Sequence, residues 1–306
     1  MKLIDLSRPL ENTDYADPPG LGPKINYIGH NDSADQVLQF FPGVNRDQLP
    51  GGEGWAVEEV TLSTHNGTHL DAPYHFHSTM DQGARAITID EIPLDWCMGP
   101  GVKLDFRQFA NGYVVTAADV AAELSRIGHQ LSPGDIVLVN TSAAEAYGTP
   151  AYVGTGCGMG REATVYLTSR GVRVTGTDAW SWDAPFTETA KKVAETGDAS
   201  LIWEGHRAGM VHGYCHMEKM AALDTLPATG FDVICFPVKV KGASAGWCRP
   251  VAVRKDQIGT KPSSHAPSRA GSRRRPCRMR CPSHLKKSAR NPSTQPRPAL
   301  RFCICT

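Results

Sequence analysis

The stretch STHNGTHLDAPYHFH, residues 63–77, constrains this chain more than any other part of it. It holds four of the eleven histidines, one carboxylate, a glycine and a proline. His69 and Asp71 are two apart, and in extended backbone residues so spaced project to the same side. Pro73 keeps Ala72 out of the helical region, which favours that extended conformation. His65 lies four residues before His69, and Gly67 between them permits the tight bend that brings His65 to the same point. Two imidazoles and a carboxylate converging there make a facial set for a divalent transition metal, with positions left open. His75, just beyond the carboxylate, reads either as a fourth ligand or as a base beside the metal's water.

Composition leaves room for such a site. The 306 residues are 41% hydrophobic, enough for one sizeable core. No run of eighteen apolar residues occurs, so no membrane span is expected. The opening MKLIDLSRPLENTDYADPP lacks the apolar centre of a secretory signal, and a cytoplasmic protein is expected. None of the nine cysteines forms a CxxC pair. Cys97, Cys157, Cys215, Cys235 and Cys248 stand singly and are expected to be reduced and mostly buried.

The net charge of +1 hides a split. After Asp256 stand twelve Lys and Arg and no acid, leaving 20 basic against 31 acidic residues, a balance of −11, in the first 256. The Pro/Ser/Arg-rich tail, residues 256–306, has too little apolar surface to offset chain entropy and is expected to be disordered. No aromatics stand between its arginines as a single-strand stacking platform would need. A nucleic-acid arm is therefore disfavoured against an unselected extension, of the kind a shifted reading frame produces.

The body, residues 1–255, alternates strand and helix patterns. VEEVTLSTH (57–65) predicts a strand running into the histidine cluster. Strands are also expected at 101–106, 132–142, 231–240 and within 242–255, and VRVTGTDAWSWDAPF (172–186) as a strand opening into a loop. TAADVAAELSRIG (116–128) predicts a helix with Thr116 as N-cap and Gly128 as C-cap. GREATVYLTSRG (160–171) predicts another. The mix is α/β. The chain has no GxGxxG and no Walker loop, so nucleotide chemistry has no foothold.

The segment His65-Asn66-Gly67-Thr68-His69-Leu70-Asp71-Ala72-Pro73-Tyr74-His75-Phe76 resembles the HxGTHxDxPxHF signature of the cyclase-like metal-dependent hydrolases. That family includes bacterial kynurenine formamidases and isatin hydrolases. Ile4-Asp5-Leu6-Ser7-Arg8-Pro9-Leu10 resembles its usual opening, and the likeness spans roughly residues 1–255. It implies a swivelling β/β/α fold with a mixed, barrel-like sheet flanked by helices. It implies that His65, His69 and Asp71 bind metal, that His75 is the acid/base, and that the chain forms a homodimer or homotetramer.

His206 and Glu218 have the twelve-residue separation with which binuclear members complete a second metal position. GYCHMEK and the stretches 177–182 and 242–247 are more similar to the isatin hydrolases, which use a single manganese. The resemblance thus leaves one or two ions open, with manganese ahead of zinc. In that branch His216 would contact the substrate, and Thr229 would stand where a hydroxyl relays protons. Trp180, Trp182, Phe40, Phe41, Tyr27 and Trp55 are candidates for an aromatic pocket. The expected substrate is a small aromatic cyclic amide. An aryl formamide or a lactone is the alternative, and a non-catalytic metal-binding scaffold or a tail-mediated nucleic-acid binder is the rival class.

Overall fold

The computed structural model describes residues 1–12 and 14–254, so the expectation of a disordered basic tail lies outside the described residues. Nine strands form one mixed sheet. In chain order they are β1 (Lys2–Asp5), β2 (His69–Asp71), β3 (Met98–Asp105), β4 (Ile136–Asn140), β5 (Val174–Thr177), β6 (Cys215–Glu218), β7 (Phe231–Ile234), β8 (Ala245–Trp247) and β9 (Val251–Arg254). Their order in space is β1-β9-β7-β3-β4-β5-β6-β2-β8. The central β3, β4, β5 and β6 run parallel, and the outer strands pair antiparallel.

The parallel centre follows from its residues. IVLVN of β4 is a continuous apolar run, the pattern of a strand covered on both faces, and all five residues are buried. Ile136 and Leu138 enter one core cluster, while Val137 and Val139 enter another with Leu104 and Phe106. The second cluster is closed by α1 (Ala117–Ile127), through Val120 and Leu124, and by α2 (Arg161–Thr168), through Ala163 and Leu167. α1 is capped as its sequence predicts: Asp119 N–H donates to Thr116 Oγ1 at 3.2 Å, and Gly128 closes the helix at φ 68°.

Four sequence expectations change, one being the strand expected over 231–240, which ends at Ile234. The strand expected over 57–65 stops at Thr61 and pairs with Lys24–Ile28 in a separate two-stranded ribbon. Its alternation marks no core face, because all five residues from Val57 to Thr61 are exposed. Beyond it, Ser63 N–H donates to Asn66 Oδ1 at 2.7 Å and turns the chain before the histidines. The single strand expected in 242–255 is two, β8 and β9, separated by the Cys248–Pro250 break. A helix not expected from the sequence, α3 (Phe186–Thr196), follows Pro185.

Cys97, Cys157, Cys215 and Cys235 are buried free thiols and Cys248 is half-buried. No helix among the described residues is long and apolar enough to cross a membrane.

Candidate metal centre

The site is built on two neighbouring antiparallel strands. β2 reads His-Leu-Asp and β6 reads Cys-His-Met-Glu, each with donors at alternate positions. Register sets His216 opposite Asp71 and Glu218 opposite His69. Side chains alternate across a sheet, so these four share one face. Leu70 and Met217, on the other face, are 0% exposed in the core. Each such buried side chain contributes roughly 1.5–3 kcal/mol. A one-residue slip would exchange donors for core residues, so the packing that folds the sheet also fixes the metal register.

Loops bring the other donors. Gly67 takes φ 61°, the left-handed bend expected of it, and a Cβ there would meet Leu10 Cδ2 at 2.5 Å. The bend carries His65 back so that Nδ1 lies 2.9 Å from Asp71 Oδ1, with Nε2 at 3.0 Å from Ser244 Oγ. Pro73 opens a one-turn helix to Phe76, and His75 on it places Nε2 3.9 Å from Asp71 Oδ2. His206 stands on the short helix Glu204–Arg207, with Nε2 3.7 Å from Glu218 Oε1.

Hydrogen bonds on the far side of three rings fix where their protons sit. His69 Nδ1 lies 2.9 Å from the Gly67 carbonyl, which only accepts, so Nδ1 donates. His206 Nδ1 donates to the Asp183 carboxylate, which also accepts the Gly205 and His206 backbone N–H groups. Tyr214 commits its hydroxyl proton to the Gly205 carbonyl, so His216 Nδ1, at 3.3 Å, donates to the phenolic oxygen. On each of these rings Nε2 is therefore the nitrogen left to face Asp71 and Glu218. His69 Nε2 is 3.3 Å from Asp71 Oδ1 and 3.6 Å from Glu218 Oε2. His216 Nε2 is 3.1 Å from Asp71 Oδ2 and 3.2 Å from Glu218 Oε1.

Lone pairs on nitrogen and carboxylate oxygens facing each other in a buried space repel unless a cation lies between them. His69 Nε2, both Asp71 oxygens and His216 Nε2 are buried without a hydrogen-bond partner. These residues fit a divalent metal. Asp71, His206, His216 and Glu218 form one set whose donor atoms lie within 4.8 Å of one another, and His65, Asp71 and His75 form a second. Asp71 belongs to both.

Protons show the same demand. Burial presses the His216 ring down, but the Asp71 and Glu218 carboxylates against Nε2 outweigh it and raise it to about 9. Glu218 is pushed up by burial, yet the His216 ring against it, at 3.2 Å, brings it down to about 2. Without metal, a proton on His216 thus takes the place of a cation. His75 goes the other way: burial lowers it to about 4, with His65 and His206 adding to the drop against the pull of Asp71.

A cleft of about 270 Å³ opens onto this centre. His65, His75, His206 and Glu218 form its polar end, and Leu21, Trp180, Phe186 and Trp203 form apolar walls. Trp182 is 1% exposed and stacks on His216 at 5.6 Å, behind the donors. His216, expected at the substrate, is 0% exposed and sits in the donor set. The structure does not bring Thr229, Phe41 or Tyr27 to the cleft. Thr229 lines a different depression with His129 and Phe231, and Phe41 and Tyr27 are 54% and 61% exposed. Sequence reasoning missed Asp183, Tyr214 and Ser244, which orient ligands. Asp183 and Ser244 carried no local signal, because each meets its histidine only through the fold, whereas Tyr214 stands two residues before His216, a spacing that could have shown it.

Residues 4–184 match the family model described as "putative cyclase". Among solved structures, the chain is similar to an isatin hydrolase bound to the product analogue thioisatinate, at 20% identity over 83% of this chain and 93% of that one, TM-score 0.63. It is similar to isatin hydrolase A of Labrenzia aggregata bound to benzyl benzoate, at 23% identity over 83% and 93%, TM-score 0.62. It is also similar to isatin hydrolase A of Ralstonia solanacearum, at 20% identity over 83% and 92%, TM-score 0.64. Likeness at these identities establishes a shared fold.

Proposed function

The chain belongs to the cyclase family, and on that premise we propose that it is a metal-dependent hydrolase that opens a cyclic amide of the isatin type to a carboxylate. The observation that carries this reading is the set of bare imidazole nitrogens turned onto two buried carboxylates at the end of an aromatic cleft. The isatin hydrolases among the structural neighbours make isatin the first substrate to assay.

A divalent metal bound there would act as a Lewis acid on the amide carbonyl and lower the pKa of water from 15.7 to about 7. Asp71, Glu218, His69, His206 and His216 would hold it, and His65 stands beside Asp71 as a further donor. The remaining chemistry belongs to the side chains. His75 is neutral at pH 7, because burial holds it near 4, so one ring nitrogen is free to take the proton of the attacking water. Once protonated it is a strong acid, suited to deliver that proton to the leaving nitrogen. Without the delivery, the tetrahedral adduct would expel hydroxide and return to substrate. Trp180, Phe186 and Trp203 would bind a flat ring and exclude water from it. Manganese is the favoured ion and zinc the alternative, since mixed imidazole and carboxylate donors suit both.

A second reading has its own support. Two donor sets sharing Asp71 accommodate two ions, which would favour an open-chain aryl formamide. On either reading the chain acts as a homodimer or homotetramer. Tyr27, Phe40, Phe41 and Trp55, each at least 44% exposed, supply an apolar surface for a second copy, and light scattering would test it.

The deciding experiment counts metal per subunit and assays isatin beside N-formylkynurenine with added manganese or zinc. One manganese with isatin opening supports the first reading. Two zincs with formamide cleavage support the second. Absence of metal would refute both.

A further inference from the structure

Lys219 directly follows Glu218, and the metal reading gives it no task. Its residue is 2% exposed and lines the cleft. Its ammonium bonds the carboxylate of Asp17, 202 positions away, and the backbone carbonyl of His65 at 2.8 Å. Its own N–H donates to the Ala179 carbonyl at 3.0 Å, and its carbonyl accepts from Thr68 Oγ1 at 2.8 Å. Its φ is 56°, a left-handed conformation that is strained for a non-glycine residue. Asp17 also accepts from Asn66 Nδ2 at 2.8 Å and Trp180 Nε1 at 3.3 Å.

Neither the strain nor the burial of charge is explained by stability. Desolvating an ion pair offsets most of its attraction, and a hydrophobic pair of similar size often serves better. The target of the ammonium is the informative feature. Among the donor residues, His65 has the most exposed side chain, at 28%. It follows a ribbon strand whose residues are all exposed, whereas His69, Asp71, His216 and Glu218 lie on strands of the main sheet. Packing therefore fixes His65 least, and a tether on its backbone has the most to contribute.

We propose that Lys219 is a positioning residue for the metal centre: its ammonium, anchored by Asp17, holds the His65 carbonyl and so fixes the turn that presents the His65 ring. This rests on the metal reading of the site. The ammonium acts through the backbone of His65 and touches no reacting atom. Asp17 keeps it oriented, and the link couples the N-terminal segment to the donor loop.

The test is calorimetric titration of metal-stripped protein with Mn²⁺, for the unaltered chain and for Lys219→Met and Asp17→Asn, below the melting temperature of each. Loss of a group that orients a ligand typically weakens metal binding roughly 10–100-fold, and that is expected for Lys219→Met, with a smaller loss for Asp17→Asn. Cobalt-loaded Lys219→Met should show shifted visible bands, because His65 enters the coordination sphere differently. A lysine needed only for stability would lower the melting temperature and leave affinity and spectrum unchanged, and that result overturns the proposal. Should Lys219→Met fail to fold, Asp17→Asn carries the test, and unaltered affinity in it overturns the proposal equally. If the unaltered chain takes up no metal, the reading of the site fails first and the proposal with it.

Discussion

Two segments supply the donors, and they are built in opposite ways. Residues 65–75 gather His65, His69, Asp71 and His75 within eleven positions, bent by Gly67 and Pro73. Residues 206–218 spread His206, His216 and Glu218 over a short helix, a turn and a strand. In the first segment the donors meet within one short stretch of chain: His65 Nδ1 and His69 Nε2 lie 2.9 and 3.3 Å from Asp71 Oδ1. In the second, two donors are held from elsewhere, His206 by Asp183 and Glu218 by the Trp182 N–H at 2.9 Å, while His216 rests on Tyr214 two residues before it. A metal site can thus be half written in local spacing and half assembled by contacts distant in sequence.

The largest effect should come from the residue common to both donor sets. Asp71→Asn is expected to bring metal content to background and end turnover, measured by elemental analysis beside an assay. Retained metal would show that the two sets are independent. His75→Ala should keep its metal and lose roughly 10²–10⁴-fold in turnover, the usual contribution of a general acid–base. Loss of metal from that variant would make His75 a ligand instead.

The next pair separates two carboxylates of one loop. Asp183→Asn should weaken metal binding roughly 10–100-fold, because it leaves His206 without its orienting anion. Asp178 lies five residues earlier and takes hydrogen bonds from Asn140 Nδ2 at 2.6 Å and Thr141 Oγ1 at 2.7 Å. Asp178→Ala should instead cost about 3 kcal/mol of stability by orphaning buried donors, with metal affinity unchanged. Denaturant unfolding and calorimetry on both variants would distinguish them.

The last prediction concerns the pH dependence of the unaltered protein. His216 carries a proton below about 9 in the metal-free centre, and metal must displace it. Affinity should therefore fall about tenfold per pH unit below 9, with one proton released into buffer on binding. Titrations in buffers of different ionisation enthalpy would show it. Binding independent of pH would mean that His216 is no ligand.

Much of the fold was legible where a residue type answers to one cause. Thr116 and Gly128 mark the ends of α1 because a cap and a left-handed C-terminus select those residues. IVLVN marks a doubly covered strand because only burial tolerates such a run. The alternation of Val57–Thr61 misled, since a ribbon lying off the sheet shows the same period with no core behind it. Helix α3 was missed because none of its residues is buried, and its pattern sits beside Gly- and Asp-rich loops.

By itself the sequence supplied the local half of the candidate centre: His65, His69, Asp71 and His75, with two turn-formers between them. These are local facts, set by side-chain type and by the few conformations open to glycine and to the residue before proline. Only the tertiary structure decided that His216 faces Asp71 from the neighbouring strand, and that Asp183 and Lys219 hold their partners. Strand register is fixed by which residues the core accepts, Leu70 and Met217 here. That choice is made by packing across the whole sheet and leaves no trace in the spacing of any one segment.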